Sequence, residues 1–257
     1  MATDILLFLV GIVVGAVNAI AGGGMLLGFP VLLATGLSPL VANATSYIVA
    51  QPGNIAAAFA YRKYLRKVPK QYLLLIIPTV IGGFAGSYIL RHTDASDFAR
   101  YVPWLVLFAV TLFAYQPFLY KYIHDHIHAP KKRRRQGSPI LFIALAMLPL
   151  SIYGGYFGAG FGFIMLSFLG FTKLHDHIHR MNALKYVCIF FLTSSALVGL
   201  LGSGLINWHH GLIMAAGNLI GGFTAAIWSL KVPSQHLRTS IIVVGFIAAA
   251  YLALRTY

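Results

Sequence analysis

The sequence predicts an all-α membrane protein, a polytopic bundle of transmembrane helices. Of its 257 residues, 59% are hydrophobic and only 9% are charged, whereas a soluble domain carries about 25% charged residues. A chain this apolar has too little polar surface for water, but lipid is itself an apolar solvent. The apolar residues also form long runs, at 4–35, 39–60, 70–90, 100–121, 138–171, 181–202, 211–231 and 237–255.

Six of these runs have about the 20 residues that cross a bilayer as one helix, but the first and the fifth exceed 30. Each of the two long runs contains a cluster of glycines, which destabilise a helix and allow the backbone to turn. These glycines are Gly22, Gly23, Gly24, Gly158, Gly160 and Gly162. We therefore predict two pairs of short helices, at about 4–21 with 24–35 and at about 139–157 with 162–171.

The two halves of the chain resemble each other. Gly82-Gly83-Phe84 is repeated as Gly221-Gly222-Phe223, an offset of 139 residues, and the first glycine cluster has its counterpart in the second. We divide the chain into a first transmembrane repeat at 1–121, a His-rich basic cytoplasmic loop at 122–137 and a second repeat at 138–257.

Charge indicates how the repeats are oriented. Lys and Arg number 19 against five acids, and they concentrate in short loops between the apolar runs, as the positive-inside rule predicts for membrane proteins. The charge therefore does not point to a nucleic-acid partner. Four crossings per half would make the halves parallel and place two basic loops outside. Five crossings make them inverted and place every basic loop inside, so we favour the inverted arrangement.

Broken helices within a bilayer suggest a binding site. They expose backbone N–H groups that carry partial positive charge and attract anions. In lipid such groups persist only against protein or a water-filled cavity, so the two breaks predict one central cavity. Close packing by small residues is the alternative.

Polar residues within the apolar runs are candidates for the wall of this cavity. Lys185 is the strongest candidate among them, because inserting a lysine at the centre of a membrane helix costs about 2.5–3.5 kcal/mol of free energy. Since acids are scarce, a bound anion would be its natural counter-charge, although snorkelling to the interface is the alternative. The candidate set is Asn18, Asn43, Thr45, Ser46, Gln51, Asn182 and Lys185.

The pentapeptide His-Asp-His-Ile-His occurs twice and offers possible metal ligands. We favour polar helix ends and predict no metal or cofactor, but a transition-metal transporter or sensor is the second hypothesis. The residues concerned are His124, His126, His128, His175, His177 and His179. A membrane scaffold or membrane enzyme is a third hypothesis, although we find no hydrolytic triad or phosphate-binding loop and predict no enzyme.

Two stretches carry a family resemblance. The first, 15–54, contains Ala21-Gly22-Gly23-Gly24, Pro30 and Ala42-Asn43-Ala44-Thr45-Ser46. The second comprises 154–170, Asn207-Trp208 and 217–222. In these stretches the chain resembles the sulfite exporter TauE/SafE family, also called the toluenesulfonate uptake permease family. It departs from the family pattern at Gly160-Phe161-Gly162, which replaces a purer glycine run, and at Asn207, where an acidic residue often precedes the tryptophan.

The resemblance implies movement of sulfite, sulfonates and related sulfur anions. Together with the residue patterns, it predicts a multi-pass secondary transporter of the inner (plasma) membrane, with alternating access around a midplane site. Its expected partners are a small anionic substrate, the lipid bilayer and a coupling proton or cation. The oligomeric state is not predicted.

Overall fold

The computed structural model describes residues 1–21, 23–127, 140–170, 172, 174, 177–228 and 235–256. These residues form helices and no strands. The helices are α1 Ala2–Ala21, α2 Met25–Ala34, α3 Pro39–Ala60, α4 Arg62–Leu65, a 3₁₀ helix Lys70–Leu75, α5 Ile76–Arg91, α6 Ala95–Ile127, α7 Ile140–Tyr156, α8 Phe161–Gly170, α9 Ile178–Leu200, α10 Trp208–Trp228 and α11 Gln235–Thr256.

The prediction of an all-helical membrane bundle is confirmed. Within the described ranges, four segments are long and apolar enough to cross a membrane: Ala2–Ala19, Lys70–Arg91, Ala95–Leu112 and Ile178–Leu200. Several shorter apolar helices accompany them. Large apolar side chains such as Trp104, Phe142 and Leu254 are exposed on the outside of the bundle, where lipid would cover them.

Helix α6 differs from the sequence prediction. It was expected at 100–121, but it begins at Ala95 and continues to Ile127, so the predicted loop 122–137 starts as helix. The expectation followed hydropathy, which marks only the part of a helix that lies in lipid, whereas polar turns extend beyond it. Residues 128–137, including the basic run 131–135, lie outside the described residues.

The two halves of the chain pack against each other. Helix α1 packs on α10 and α7 packs on α5, while α3 contacts α10 and α9 contacts α5. Helices α2 and α8 lie against α11 and α6 in the same reciprocal way. The most extensive helix contacts, those of α1 with α10 and of α5 with α7 and α9, therefore join the two halves, which makes the interface between the halves the core of the protein.

Glycines allow the closest of these contacts. A Cβ atom added to Gly221 would collide with the backbone oxygen of Ile12, and one added to Gly217 would collide with that of Phe8. On the equivalent pair, a Cβ on Gly86 would collide with the backbone oxygen of Ile152. Small residues are the usual means by which membrane helices approach backbone to backbone.

The directions of the paired helices follow from their contacts. Gln51 of α3 contacts Ser194 of α9. Tyr61, the residue after α3, has its ring centre 6.3 Å from that of His179 at the start of α9. Residue numbers thus rise along α3 as they fall along α9, so the two helices are antiparallel. Helices α5 and α9 are parallel instead, because Gly83 faces Ser195 and Ser87 faces Gly199.

Candidate functional site

A small polar cavity lies where the two halves meet. It has a volume of about 30 Å³, enough for about one water molecule. Its wall comes from α1, α2, α3, α8, α9 and the connections that precede the two short helices. The lining residues are Asn18, Gly23, Met25, Ser46, Tyr47, Ala50, Asn54, Gly158, Gly160, Gly162, Ile189 and Thr193.

The N-terminal ends of both short helices border this cavity. Gly23 lies just before α2, while Gly160 precedes α8 and Gly162 occupies its first turn. Gly160 has φ +83°, a left-handed conformation that glycine adopts without steric cost. Its carbonyl accepts the N–H of Phe163 at 2.9 Å, which starts α8. Helix N-termini carry partial positive charge and favour anions.

Amide side chains form part of the polar wall. Asn18 Nδ2 donates to Asn54 Oδ1 at 3.1 Å across α1 and α3. The hydroxyl of Ser46 donates to the carbonyl of Asn43 within α3 at 2.6 Å. Asn43 lies behind the wall, where its Nδ2 donates to the carbonyl of Tyr156 at the end of α7 at 2.9 Å.

Two buried tyrosines connect each half to the helix end of the other. Tyr47 of α3 donates its hydroxyl to the carbonyls of Gly154 and Gly155 in α7, at 2.9 and 2.7 Å. Tyr186 of α9 donates to the carbonyls of Asn18 and Ala19 in α1. Because the last carbonyls of a helix have no partner within it, each tyrosine helps to satisfy the helix end beside the cavity.

The cavity contains only part of the predicted site. Asn18, Gly23, Ser46, Gly158, Gly160 and Gly162 line it. Gly22 lies outside the described residues, and Asn43, Gly24, Thr45, Gln51, Asn182 and Lys185 do not line the wall.

Four of the excluded residues have other positions or partners. Thr45 Oγ1 accepts the N–H of Asn207 at 3.0 Å, and Gln51 Nε2 donates to Ser194 Oγ at 2.7 Å. Gly24 leaves room for the carbonyl of Val14. Asn182 is half-buried on α9.

Lys185 is buried but lies apart from the wall of the cavity. Its side chain is only 2% exposed, and its ammonium nitrogen lies 4.2 Å from the centre of the Tyr186 ring. A cation over an aromatic face is stabilised by the ring quadrupole. Lys185 therefore packs against the face of the tyrosine that contacts α1.

The histidine-rich segments provide no metal site that we can describe. His177 and His179 are exposed, and His179 stacks on Tyr64 with ring centres 4.8 Å apart. His128 and His175, and the side chains of His124 and His126, lie outside the described part of the chain. Within that part, no three His, Cys, Asp or Glu side chains come together.

Several lining residues were absent from the predicted site, although the repeat carries a signal for them. Tyr47 and Tyr186 are separated by 139 residues, the offset of the duplicated Gly-Gly-Phe. The same offset relates Ala50 to Ile189 and Asn54 to Thr193, and all four of these line the cavity. Aligning the halves at this offset would have identified them.

An apolar helical bundle in which the two halves of the chain enclose a polar cavity is typical of membrane transporters. The family model described as Sulfite exporter TauE/SafE matches residues 7–252. The chain therefore belongs to this family of membrane transporters.

Similar proteins carry matching descriptions. A probable membrane transporter protein of Haemophilus influenzae is 29% identical over 95% of this chain and 92% of its own. The probable membrane transporter protein YfcA of Escherichia coli K12 is 27% identical over 96% and 88%. YunE of Bacillus subtilis, described likewise, is 23% identical over 94% and 95%. No solved structure matches the chain.

Proposed function

We propose that this protein is a secondary transporter that carries a small sulfur oxyanion, sulfite or an organosulfonate, across the plasma membrane. The observation that carries the proposal is the pair of helix N-termini, α2 and α8, that border one cavity. Helix N-termini stabilise an anion without a formal positive charge. The name of the family, sulfite exporter, agrees with this choice of substrate.

The charge distribution around the cavity supports an anionic substrate. The lining residues include no Asp or Glu. Among the acids whose side chains the structure describes, Asp4, Asp94 and Asp97 lie at or before the first turns of α1 and α6. An anion in the cavity would thus meet N–H groups, amides and hydroxyls rather than carboxylates, which would repel it.

We further propose that the halves are inverted repeats and that α1–α2 and α7–α8 are their glycine-broken helix pairs. Inversion requires equivalent helices to run in opposite directions, and the antiparallel contacts of α3 with α9 support this. Helices α6 and α11 agree, because Val110 faces Gly245 while Pro103 shares a groove with Ala253. Parallel repeats would place each of these pairs in the same direction.

The size of the cavity supports alternating access. A volume of about 30 Å³ holds a water molecule but not a sulfite ion, so we interpret this conformation as occluded. Opening would require the halves to separate on one side at a time, as in other transporters built from inverted repeats. A coupling proton or cation would drive the cycle.

The proposed topology predicts which sides of the membrane two loops face. Cys188 is the sole cysteine of the chain and is buried, so Cys188→Ala gives a background without accessible thiols. We expect Lys63→Cys to react with an impermeant maleimide only from the cytoplasmic side, and Ser203→Cys only from the outside. Labelling of both from the same side would contradict the inverted arrangement.

Flux in proteoliposomes tests the transport function. We expect purified protein alone to move radiolabelled sulfite down its gradient, and Gly160→Ala to reduce this flux at least about tenfold. The alanine would be strained at φ +83°, by about 1–2 kcal/mol, and its Cβ would press on Ala109.

Gly204→Ala is the matched control for this strain. Gly204 also has a positive φ, +74°, but it lies in the turn before α10, with open space around it. We expect the Gly204→Ala variant to transport sulfite at the wild-type rate. Absence of flux in wild-type vesicles, with sulfite and with organosulfonates, would refute the proposed function.

Lys185 is expected to act on the substrate through the electrostatic field of its charge rather than by direct contact. Lys185→Met should raise the KM for the anion while leaving the maximal rate within about twofold, because the charge lies behind Tyr186 and not in the wall. Lys185→Arg, which keeps the charge, is the control. A Lys185→Met variant with the wild-type KM would show that Lys185 has no part in the transport mechanism.

A further inference from the structure

Among the described residues, the side chain of Asn218 has both of its polar atoms, Oδ1 and Nδ2, buried and without a hydrogen-bond partner. It lies at the middle of α10 and is fully buried. A buried donor or acceptor without a partner costs about 1–3 kcal/mol. Such a group in the core of a native protein is commonly the place of a water, an ion or a ligand.

Asn218 belongs to a cluster of three asparagines that reaches the cavity. Its Oδ1 occupies the space that a Cβ on Gly53 would take, and that same point lies 3.4 Å from Asn18 Nδ2. Asn18 in turn donates to Asn54, and both line the cavity. The Nδ2 of Asn54 also has no partner among the residues described. Asn218 thus stands immediately behind the asparagine wall.

The unpartnered atoms of the asparagine cluster determine which kind of ligand it can bind. They comprise two donors, Asn54 Nδ2 and Asn218 Nδ2, and one acceptor, Asn218 Oδ1. A metal cation would be repelled by the N–H groups of the two side-chain amides, since it requires oxygen ligands. A fully ionised oxyanion offers acceptors only and would leave Asn218 Oδ1 unpaired. An oxyanion that carries one proton satisfies all three atoms.

We propose that Asn18, Asn54 and Asn218 form the substrate-recognition site and that this site selects a monoprotonated oxyanion, the O-protonated form of hydrogen sulfite. This inference rests on the proposed function and names the form of substrate that the cavity accepts. As the halves move apart, the wall opens onto Asn218. Two oxygens of the anion accept from Asn54 and Asn218, while its hydroxyl donates to Asn218 Oδ1.

The site has a consequence for coupling. The lining residues include no Asp, Glu or His, and the helices that face Asn218 contribute Gly15, Asn18, Gly53 and Asn54 to its surroundings. Tyr47 is the titratable side chain in the wall, while Tyr186 and Lys185 lie outside the lining. A proton that travels on the substrate itself needs no carboxylate in the protein.

Binding of sulfite as a function of pH tests the protonation state without any substitution. We expect the affinity of purified wild-type protein for total sulfite, measured by calorimetry, to fall as pH rises and hydrogen sulfite becomes the dianion. Methanesulfonate stays an unprotonated monoanion across this pH range, so a change of its affinity with pH would report titration of the protein. It should bind more weakly and with a flat pH profile. Affinity that follows the sulfite dianion would overturn the proposal.

Substitution of Asn218 by the similarly shaped leucine tests the residue. We expect Asn218→Leu and Asn54→Leu each to weaken sulfite binding about tenfold or more, because a hydrogen bond to a charged group is lost. Asn218→Leu should at the same time raise the melting temperature of the ligand-free protein, since it removes unpartnered polar atoms. If Asn218 had a purely structural role, its replacement would not raise the melting temperature while weakening sulfite binding.

Thr79→Val is the matched control. Thr79 lies 139 residues before Asn218 at the equivalent place on α5, and it is equally buried. Its hydroxyl donates to the carbonyl of Leu75, one turn earlier in the chain, at 2.6 Å, so sulfite binding should be unchanged. Wild-type affinity in both asparagine variants would mean that the cluster holds only water, and the proposed transport of sulfite would still stand. Absence of binding and flux in the wild type would refute both.

Discussion

Replacing Gly217 with leucine is expected to prevent stable assembly of the protein in the membrane. A Cβ at this position would collide with the backbone oxygen of Phe8 and approach the nitrogen of Ile12 to 3.0 Å. Side chains can rotate away from an added group, but a helix backbone cannot, so α1 and α10 would have to separate. Overpacking of a core costs about 1–3 kcal/mol, and separation of the two helices would add the loss of their packing along their length.

The adjacent residue provides the control for this substitution. Ala216 is exposed on the same helix, so Ala216→Leu adds the same side chain towards lipid. Size-exclusion chromatography and thermal melting of the detergent-solubilised protein should show aggregation or a large loss of stability for Gly217→Leu, with a wild-type profile for Ala216→Leu. A Gly217→Leu protein that melts with the wild type would show that the α1–α10 contact does not hold the halves together.

The fold was largely predictable because lipid leaves few choices for the backbone. A hydrophobic run in a membrane has to be a helix, since only a helix satisfies its own peptide groups. Helices α1, α2, α7 and α8 begin and end close to the bounds that the lengths of the apolar runs predicted. The prediction was least accurate at α6, where polar residues continue a helix beyond the apolar segment.

The residues of the site were harder to predict, because hydropathy gives the depth of a residue but not the direction in which it points. Asn18 and Thr45 are both polar residues in apolar runs, yet Asn18 lines the cavity and Thr45 receives the N–H of Asn207. Which of these occurs depends on the rotation of each helix against its neighbours. Lys185 was a candidate because of its charge, but the face of Tyr186 stabilises its ammonium group instead.

Asn218 and the two tyrosines, in contrast, were not selected as candidates from the sequence, because nothing in the sequence around any one of them indicated a role. A single asparagine or tyrosine in a membrane helix commonly hydrogen-bonds a neighbouring helix. Tyr47 and Tyr186 gain significance as a pair, because each donates to the end of the first helix of the opposite half. Such reciprocity is a property of the folded interface rather than of either local sequence.

This reciprocity leads to the second large effect, in which Tyr47→Phe and Tyr186→Phe shift the transporter in opposite directions. Under the proposed topology Tyr186 stabilises the inner end of α1, whereas Tyr47 stabilises the outer end of α7. Each substitution keeps the ring and removes the hydroxyl, at a cost of about 1 kcal/mol for each hydrogen bond lost. We expect Tyr186→Phe to favour the inward-open state and Tyr47→Phe the outward-open state, each by about fivefold or more.

Accessibility of a cysteine in the wall measures this shift. In a Cys188→Ala background, Ala50→Cys places a thiol in the lining, and impermeant reagents applied from either side report which side is open. Tyr153→Phe is the control, because the Tyr153 hydroxyl is buried without a hydrogen-bond partner in the described structure. The double variant should return toward the wild-type ratio of inward to outward labelling, since the two losses oppose each other. If both single variants shifted labelling to the same side, the tyrosines would stabilise the bundle as a whole and would not act on opposite openings.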